Sequence, residues 1–206
     1  MRVGILGGSF NPPHRGHLAL AQTVLDAGLA DRVRLIPAAT PPHKIVSGGV
    51  DAPSRLAMTR LLAREDGRID VDDIELERAG LSYTIDTLRE LIAENPGTAY
   101  RLIIGSDLAK TFATWREYRE ILRLAPPLVA ERPDDPFRGD EEYPGMAPGD
   151  LRTLAAGRFD MRPVDVSSTK IRRLVAEGAG DATLSAYLTA PVLAFVRERR
   201  LYLDDE

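Results

Sequence analysis

Apolar and polar positions follow two periods along this chain, and each change of period marks an element. Val3 to Gly7 is a short apolar run closing in two glycines, the pattern of a buried strand. From His17 the period lengthens. Leu18, Ala21 and Leu25 fall at i, i+3 and i+7, which predicts a helix with Gly28 at its end. Val33 to Pro37 reads as a second strand, followed by a loop containing Pro41-Pro42-His43-Lys44 and Gly48-Gly49. Pro53 to Asp66 is predicted helical, with Leu56, Leu61 and Leu62 as core positions. Ile69 to Leu76 alternates and predicts a strand. Ile85, Leu88 and Ile92 mark another helix, and Leu102 to Ile104 is a strand ending at Gly105. Thr114 and Glu117 have the spacing of a capping box, so a helix is predicted from there to about Leu124. Leu128 to Ala130 is strand-like. Glu131 to Gly157 is rich in Pro, Gly, Asp and Glu and reads as an irregular surface insertion. Phe159 to Val166 alternates as a strand, Ser167 or Ser168 caps a helix through Val175, and Pro191 to Arg199 is the final helix.

Strands alternating with helices predict an α/β fold. The expected form is a Rossmann-like, doubly wound parallel sheet with helices on both faces. The expected organisation is one domain over 1–206, with the insertion at about 131–157 and C-terminal helices within about 168–200. Such sheets bind ligands at the carboxyl ends of their strands. Three unusual segments sit at predicted strand ends: Gly7–His17, Gly105–Asp107 and Ser167–Arg172.

Composition narrows the class. The chain has 206 residues, 44% apolar and 28% charged, an ordinary globular balance. It has no Cys, which excludes a disulfide framework and thiolate metal sites and suits a reducing cytoplasm. The apolar stretch at the N-terminus is too short for a signal sequence, and no run reaches membrane-spanning length. A net charge of −4 argues against duplex nucleic acid as a partner. Oligomeric state does not follow from sequence, and a homo-oligomer stays open.

The first segment, Gly7-Gly8-Ser9-Phe10-Asn11-Pro12-Pro13-His14-Arg15-Gly16-His17, carries the most chemistry. Glycines after a strand let backbone N–H groups approach a phosphate. His14 and His17, three apart at a helix start, can face one ligand, and the helix N-terminus adds donors. The segment lacks both the P-loop Gly-Lys-Ser/Thr and the Gly-x-Gly-x-x-Gly spacing. A zinc site would need a third protein ligand. With only His43 left and no Cys, zinc is disfavoured.

Gly8 to His17 resembles the first signature of the nucleotidyltransferase superfamily (G-S/T-F-N/D-P-x-H-x-G-H). Val166-Ser167-Ser168-Thr169-Lys170-Ile171-Arg172 resembles its second (I-S-S-T-x-I-R). Within that superfamily nearly the whole chain is similar to the bacterial nicotinate-nucleotide adenylyltransferases. The similar stretches include Ile36-Pro37…Pro41-Pro42-His43-Lys44, Ser82 to Leu88, Ile103 to Asp107, Thr114-Trp115 and Pro191…Leu201-Tyr202. The resemblance implies that nicotinate mononucleotide is joined to the AMP part of ATP, giving deamido-NAD and pyrophosphate. The phosphate monoester nucleophile is already largely anionic at neutral pH, its second pKa being about 6. Neither a general base nor a covalent intermediate is then needed, and catalysis reduces to in-line positioning and charge neutralisation.

By the same resemblance, Gly7, Gly8, Ser9, Phe10, His14, His17, Gly105, Asp107, Ser167, Ser168, Thr169 and Arg172 bind ATP. His14, His17, Arg172 and Lys44 are the catalytic set, the histidines acting as donors to phosphate oxygens. Mg²⁺ is expected with ATP, held by phosphates and water. Ser9, Lys44, Thr84, Ile85, Trp115 and Arg116 are the implied nicotinate mononucleotide set. Two helix N-termini, at Thr84–Ile85 and Trp115–Arg116, would meet the nicotinate carboxylate, which accepts where a carboxamide NH₂ cannot. Bland alternatives stand beside these roles. They are capping for Ser167–Thr169 and Asp107, core packing for Trp115, and a solvated loop for Lys44. Relatives often carry Asn after Ile-Pro, where this chain has Ala38 and Ala39. Two rival readings are a sister adenylyl- or cytidylyltransferase and a nucleotide-binding regulator without turnover. The Ser82–Leu88 and Thr114–Trp115 stretches count against the first, and His14, His17 and Arg172 against the second.

Overall fold

A computed structural model describes residues 1–39, 50–78, 80–131, 135–161 and 164–203. The chain runs β1 (Arg2–Gly8), α1 (Arg15–Asp26), β2 (Arg32–Pro37), α2 (Ala52–Ala63), β3 (Ile69–Val71), α3 (Ile74–Glu77) and α4 (Thr84–Glu94). It continues through β4 (Ala99–Gly105), α5 (Ser106–Lys110), a 3₁₀ turn at Phe112–Thr114, α6 (Tyr118–Leu124), β5 (Leu128–Glu131) and α7 (Pro148–Ala156). The last elements are β6 (Arg158–Asp160), α8 (Ser168–Ala176), α9 (Asp181–Leu184) and α10 (Ala190–Glu198).

The six strands form one sheet in the order β3-β2-β1-β4-β5-β6. The β1–β4, β4–β5 and β5–β6 pairings are parallel, with Ile5 opposite Leu102 and Ile104 opposite Val129. The chain starts mid-sheet, winds outward to β3, and returns to lay β4 on the other side of β1. That reversal is the switch point of a doubly wound sheet. The fold class is the one expected from sequence.

The residues group into two compact units. One holds Met1–Leu6, Thr23–Arg34 and Tyr83–Pro163, and its core is β4 and β5 with Ile85, Leu88 and Leu91 of α4 and Ile121 of α6. The other holds Gly7–Gln22, Leu35–Ser82 and Val164–Glu206. Its core includes Met58 and Leu62 of α2, Ile171 and Val175 of α8, and Val192 and Val196 of α10.

Local sequence explains most elements. α1 buries Leu18, Ala21 and Leu25 and ends at Gly28, whose φ of 63° suits a residue without Cβ. The Leu29 N–H closes that end by donating to the Val24 carbonyl. α2 opens on Asp51, whose carboxylate accepts from the Ser54 N–H at 2.8 Å.

Several expectations need correction. In α2, Leu62 is buried but Leu56 and Leu61 are only half-buried, and the core stripe is Arg55, Met58, Thr59, Leu62 and Ala63. The strand expected over Ile69 to Leu76 stops at Val71, because Asp72 accepts from the Ile74 N–H and turns the chain into α3. The supposedly irregular 131–157 region contains α7. Its N1 residue is Pro148, the Asp150 carboxylate accepts from the Ala147 N–H at 3.2 Å, and Leu151 and Leu154 bury. Gly157 ends α7 where a Cβ would lie 1.9 Å from the Pro127 carbonyl oxygen, so only glycine fits. β6 is shorter than its predicted strand, ending at Asp160. The capping box at Thr114 does not form. Thr114 ends the 3₁₀ turn, and α6 starts at Tyr118 after Glu117 in a left-handed conformation (φ 52°).

Candidate functional site

The two signatures meet inside one unit. β1 carries the backbone through Gly7 and Gly8, and a Cβ at Gly7 would meet nothing within 4 Å, so this strand end is open to close approach. The left-handed backbone falls one turn later, on Phe10 (φ 45°), a fully buried side chain. Asn11 follows, buried, and its peptide to Pro12 is cis. Here Gly7 supplies space, while Phe10 supplies the turn.

His14 and His17 stack with ring centroids 3.8 Å apart, and Phe10 leans on His17 at 4.9 Å. The His14 backbone N–H donates to His17 Nδ1 at 3.2 Å. A neutral His17 therefore carries its proton on Nε2. Burial pushes the His14 pKa down from 6.5 to about 4, and its buried Nδ1 lacks a hydrogen-bond partner. At neutral pH His14 is thus an uncharged ring. A Cβ on Gly16 would come within 2.8 Å of Val166 Cγ1 and 3.0 Å of His14 Nδ1, so glycine there lets α1 start against both groups.

α8 brings the second signature to the same loop. Ser167 is its N-cap, accepting from the Lys170 N–H at 3.1 Å, as the capping alternative requires. Ser168 donates to the Pro12 carbonyl at 2.9 Å. Arg172 is buried and donates to the Asn11 carbonyl at 2.9 Å and to the Thr169 hydroxyl at 3.3 Å. Side chains of the second signature thus donate to main-chain carbonyls more than 150 residues earlier in sequence.

Two residues to which the sequence reading gave no site role complete this cluster. Arg55 is buried and donates to the Ser9 carbonyl at 2.7 Å and to the Ala39 carbonyl, just past β2, at 3.5 Å. The readable signal was a charged residue three and four positions before Met58 and Thr59, on the core stripe of α2. The other is Tyr202, whose hydroxyl donates to Asn11 Oδ1 at 2.7 Å. The Ala38 N–H donates to the Gly8 carbonyl, and Ala39's to the Ser82 hydroxyl at 3.1 Å. Lys44 and His43 lie outside the described residues.

The unit that includes Tyr83–Pro163 holds four residues of the implied acceptor set, Thr84, Ile85, Trp115 and Arg116. Thr84 and Ile85 open α4 as expected, Ile85 fully buried. The first N–H groups of that helix lie beyond its own ladder of bonds. The expectation for Trp115 and Arg116 is corrected. They belong to an extended turn before α6, and the Trp115 N–H donates to the Phe112 carbonyl at 3.0 Å. The Trp115 ring lies against buried Phe112, centroids 5.0 Å apart. Arg116 crosses to α4, with its guanidinium 4.8 Å from the Tyr83 ring and 3.5 Å from the Asp86 carboxylate. Arg89 pairs with both oxygens of Glu117, at 2.6 and 3.2 Å. A lattice of side chains, not a second helix N-terminus, thus ties the Trp115 turn to α4. Gly105 caps α5, and Asp107 is exposed in its first turn.

Among the described residues no group of three or more His, Asp or Glu is placed to hold a metal ion. No helix among them is long and apolar enough to cross a membrane.

Known proteins resemble this chain over nearly its full length. The family model described as cytidylyltransferase-like matches residues 5–174. A protein of Geobacter metallireducens named "Probable nicotinate-nucleotide adenylyltransferase" is 38% identical over 218 residues, covering 100% of both chains. One of Synechococcus sp. strain JA-3-3Ab with the same name is 37% identical, covering 98% of this chain and 95% of its own. The structure of a Plasmodium falciparum nicotinic acid mononucleotide adenylyltransferase complexed with NaAD superposes with a TM-score of 0.77. It is 15% identical and covers 98% of this chain and 97% of that one, a likeness of fold.

Proposed function

The chain belongs to the cytidylyltransferase-like family and, within it, to the nicotinate-nucleotide adenylyltransferases, and from that premise we propose how its residues join nicotinate mononucleotide to the adenylyl group of ATP. The reaction is a direct in-line displacement. A phosphate oxygen of nicotinate mononucleotide attacks the α-phosphorus of ATP, the bond to the bridging oxygen breaks, and pyrophosphate leaves with its electron pair. The observation that carries this reading is the hydrogen-bonded union of the two signatures around Asn11 and Pro12.

Each side chain then has a physical task. His17 presents Nε2–H as a fixed donor to a phosphate oxygen, its other nitrogen being occupied by the His14 N–H. His14, uncharged at neutral pH, contributes a neutral ring beside it and takes no proton from the nucleophile. The N–H groups opening α8, at Ser168 and Thr169, face the charge of the β- and γ-phosphates. Arg172 supplies a permanent cation on the same helix. The open strand end at Gly7 admits the nucleotide close to the backbone, and Asp107 accepts from ribose hydroxyls. Mg²⁺ would arrive with ATP, held by phosphates and water, and spread the charge of the leaving pyrophosphate. Lys44 remains assigned by resemblance, to the phosphates of either substrate. For the acceptor, the ring of Trp115 stacks on the pyridine and the first N–H groups of α4 meet its carboxylate.

A panel of acceptors tests the reading. With Mg-ATP, pyrophosphate release should be strong with nicotinate mononucleotide, weak with nicotinamide mononucleotide and absent with phosphopantetheine. Equal turnover of acid and amide would sink the carboxylate argument, and release with phosphopantetheine alone would move the chain to a sister activity.

A further inference from the structure

We propose that Tyr202, near the end of the chain, is a positioning residue for adenylyl transfer, holding Asn11 and through it the Phe10–His14 turn in its working geometry. This rests on the function proposed above for that turn.

The hydroxyl of Tyr202 donates to Asn11 Oδ1 at 2.7 Å across 191 positions of sequence, and both residues are buried. Asn11 is gripped on its main chain as well, by Arg172 on its carbonyl, while Arg55 holds the carbonyl of Ser9 two residues earlier. The contact is strained at both ends. Phe10 has φ 45° on one side, and Arg200 and Tyr202 have φ 52° and 62° on the other. Non-glycine residues hold such angles only where the surroundings over-determine them. A straight continuation past α10 would leave the phenol on the surface, and the two left-handed residues turn it inward instead. Burial pushes its ionisation far upward, so it stays a donor throughout the working pH range. Packing alone calls only for an aromatic ring here. The hydroxyl adds a fixed orientation of the Asn11 amide, directly before the prolines that lead to His14.

The test compares Tyr202→Phe with Tyr100→Phe, a second buried tyrosine whose hydroxyl donates to the Leu91 carbonyl at 3.1 Å, away from the signatures. Pyrophosphate release gives kcat and both KM values, calorimetry gives Mg-ATP affinity, and melting gives stability. Tyr202→Phe should lose roughly 10- to 100-fold in kcat/KM for ATP and bind Mg-ATP about tenfold more weakly, with KM for nicotinate mononucleotide held within about twofold. Tyr100→Phe should lower the melting temperature and leave these constants alone. In an Asn11→Ala background, Tyr202→Phe should cost nothing further, because the phenol acts through Asn11. Normal ATP constants in Tyr202→Phe, a parallel loss for both substrates, or additive losses in the double variant would each overturn the inference. A wild-type chain without turnover of nicotinate mononucleotide would overturn the proposed function instead, and the Mg-ATP affinities would still decide the role of Tyr202.

Discussion

Burial decides how His14 can act. Its folded-state pKa, about 4, lies below the ordinary 6.5 because the interior disfavours the imidazolium. Between those two values the unfolded chain takes up a proton that the folded chain refuses. The stability contributed by this group is therefore intact above pH 6.5 and is lost as pH falls toward 4, by on the order of 3 kcal/mol in full. Chemical denaturation of wild type and His14→Asn across pH 4 to 7 should show a shallower acid slope in the variant. His17 is exposed enough to meet a ligand, and its Nε2–H is fixed by the His14 N–H. His17→Ala should lower kcat by about 10²- to 10³-fold, the usual consequence of deleting a preorganised donor. Steady-state rates check this, and an unchanged kcat would remove His17 from the transition state. The sequence showed both histidines and their spacing. It did not show that their rings stack or that one nitrogen is already occupied, because both facts depend on the Phe10 turn and on Val166 beyond it.

At the scale of elements, the two kinds of helix start behave differently. Ser167 caps α8 with its own hydroxyl, so this N-terminus forms by local chemistry and was legible in the sequence. The Trp115 turn is the opposite case. Thr114 and Glu117 match a capping box, yet Thr114 spends its hydroxyl on the Thr111 carbonyl, and Glu117 is drawn to Arg89 on α4. A local bond at one end and a tertiary ion pair at the other together overrode the motif. The role proposed for Trp115 therefore rests on its ring and on the α4 N-terminus, without help from α6. Trp115→Ala should raise KM for nicotinate mononucleotide by roughly tenfold or more, from a lost stacking contact of about 1 kcal/mol plus lost burial, while KM for ATP stays near wild type. Equal effects on both substrates would argue for a purely structural ring. The α7 helix escaped the sequence reading because proline, glycine and acidic residues dominate 131–157. Its capping by Pro148 and Asp150 is local, but its existence depends on burying Leu151 and Leu154.

For the molecule as a whole, burial within the sheet is graded. β4 and β5 bury Leu102, Ile103, Ile104, Leu128, Val129 and Ala130, whereas β6 at the edge has no fully buried residue. Amide exchange should be slowest at Ile103, Ile104 and Val129 and faster at the edge-strand positions Phe159 and Asp160. Faster exchange in β4 than in β6 would contradict the assignment of the core. Strand–helix alternation, the doubly wound class and both signatures were determined by the sequence alone, because periodicity and glycine, proline and capping chemistry act over a few residues. Only the tertiary structure decided that Ser168 and Arg172 close on Pro12 and Asn11, that Arg55 is a buried tether, and that Tyr202 reaches back to the first strand's loop. Those contacts join groups dozens to nearly two hundred positions apart. What fixes them is the need to satisfy buried polar atoms once the chain has packed, and no short window of sequence contains both partners.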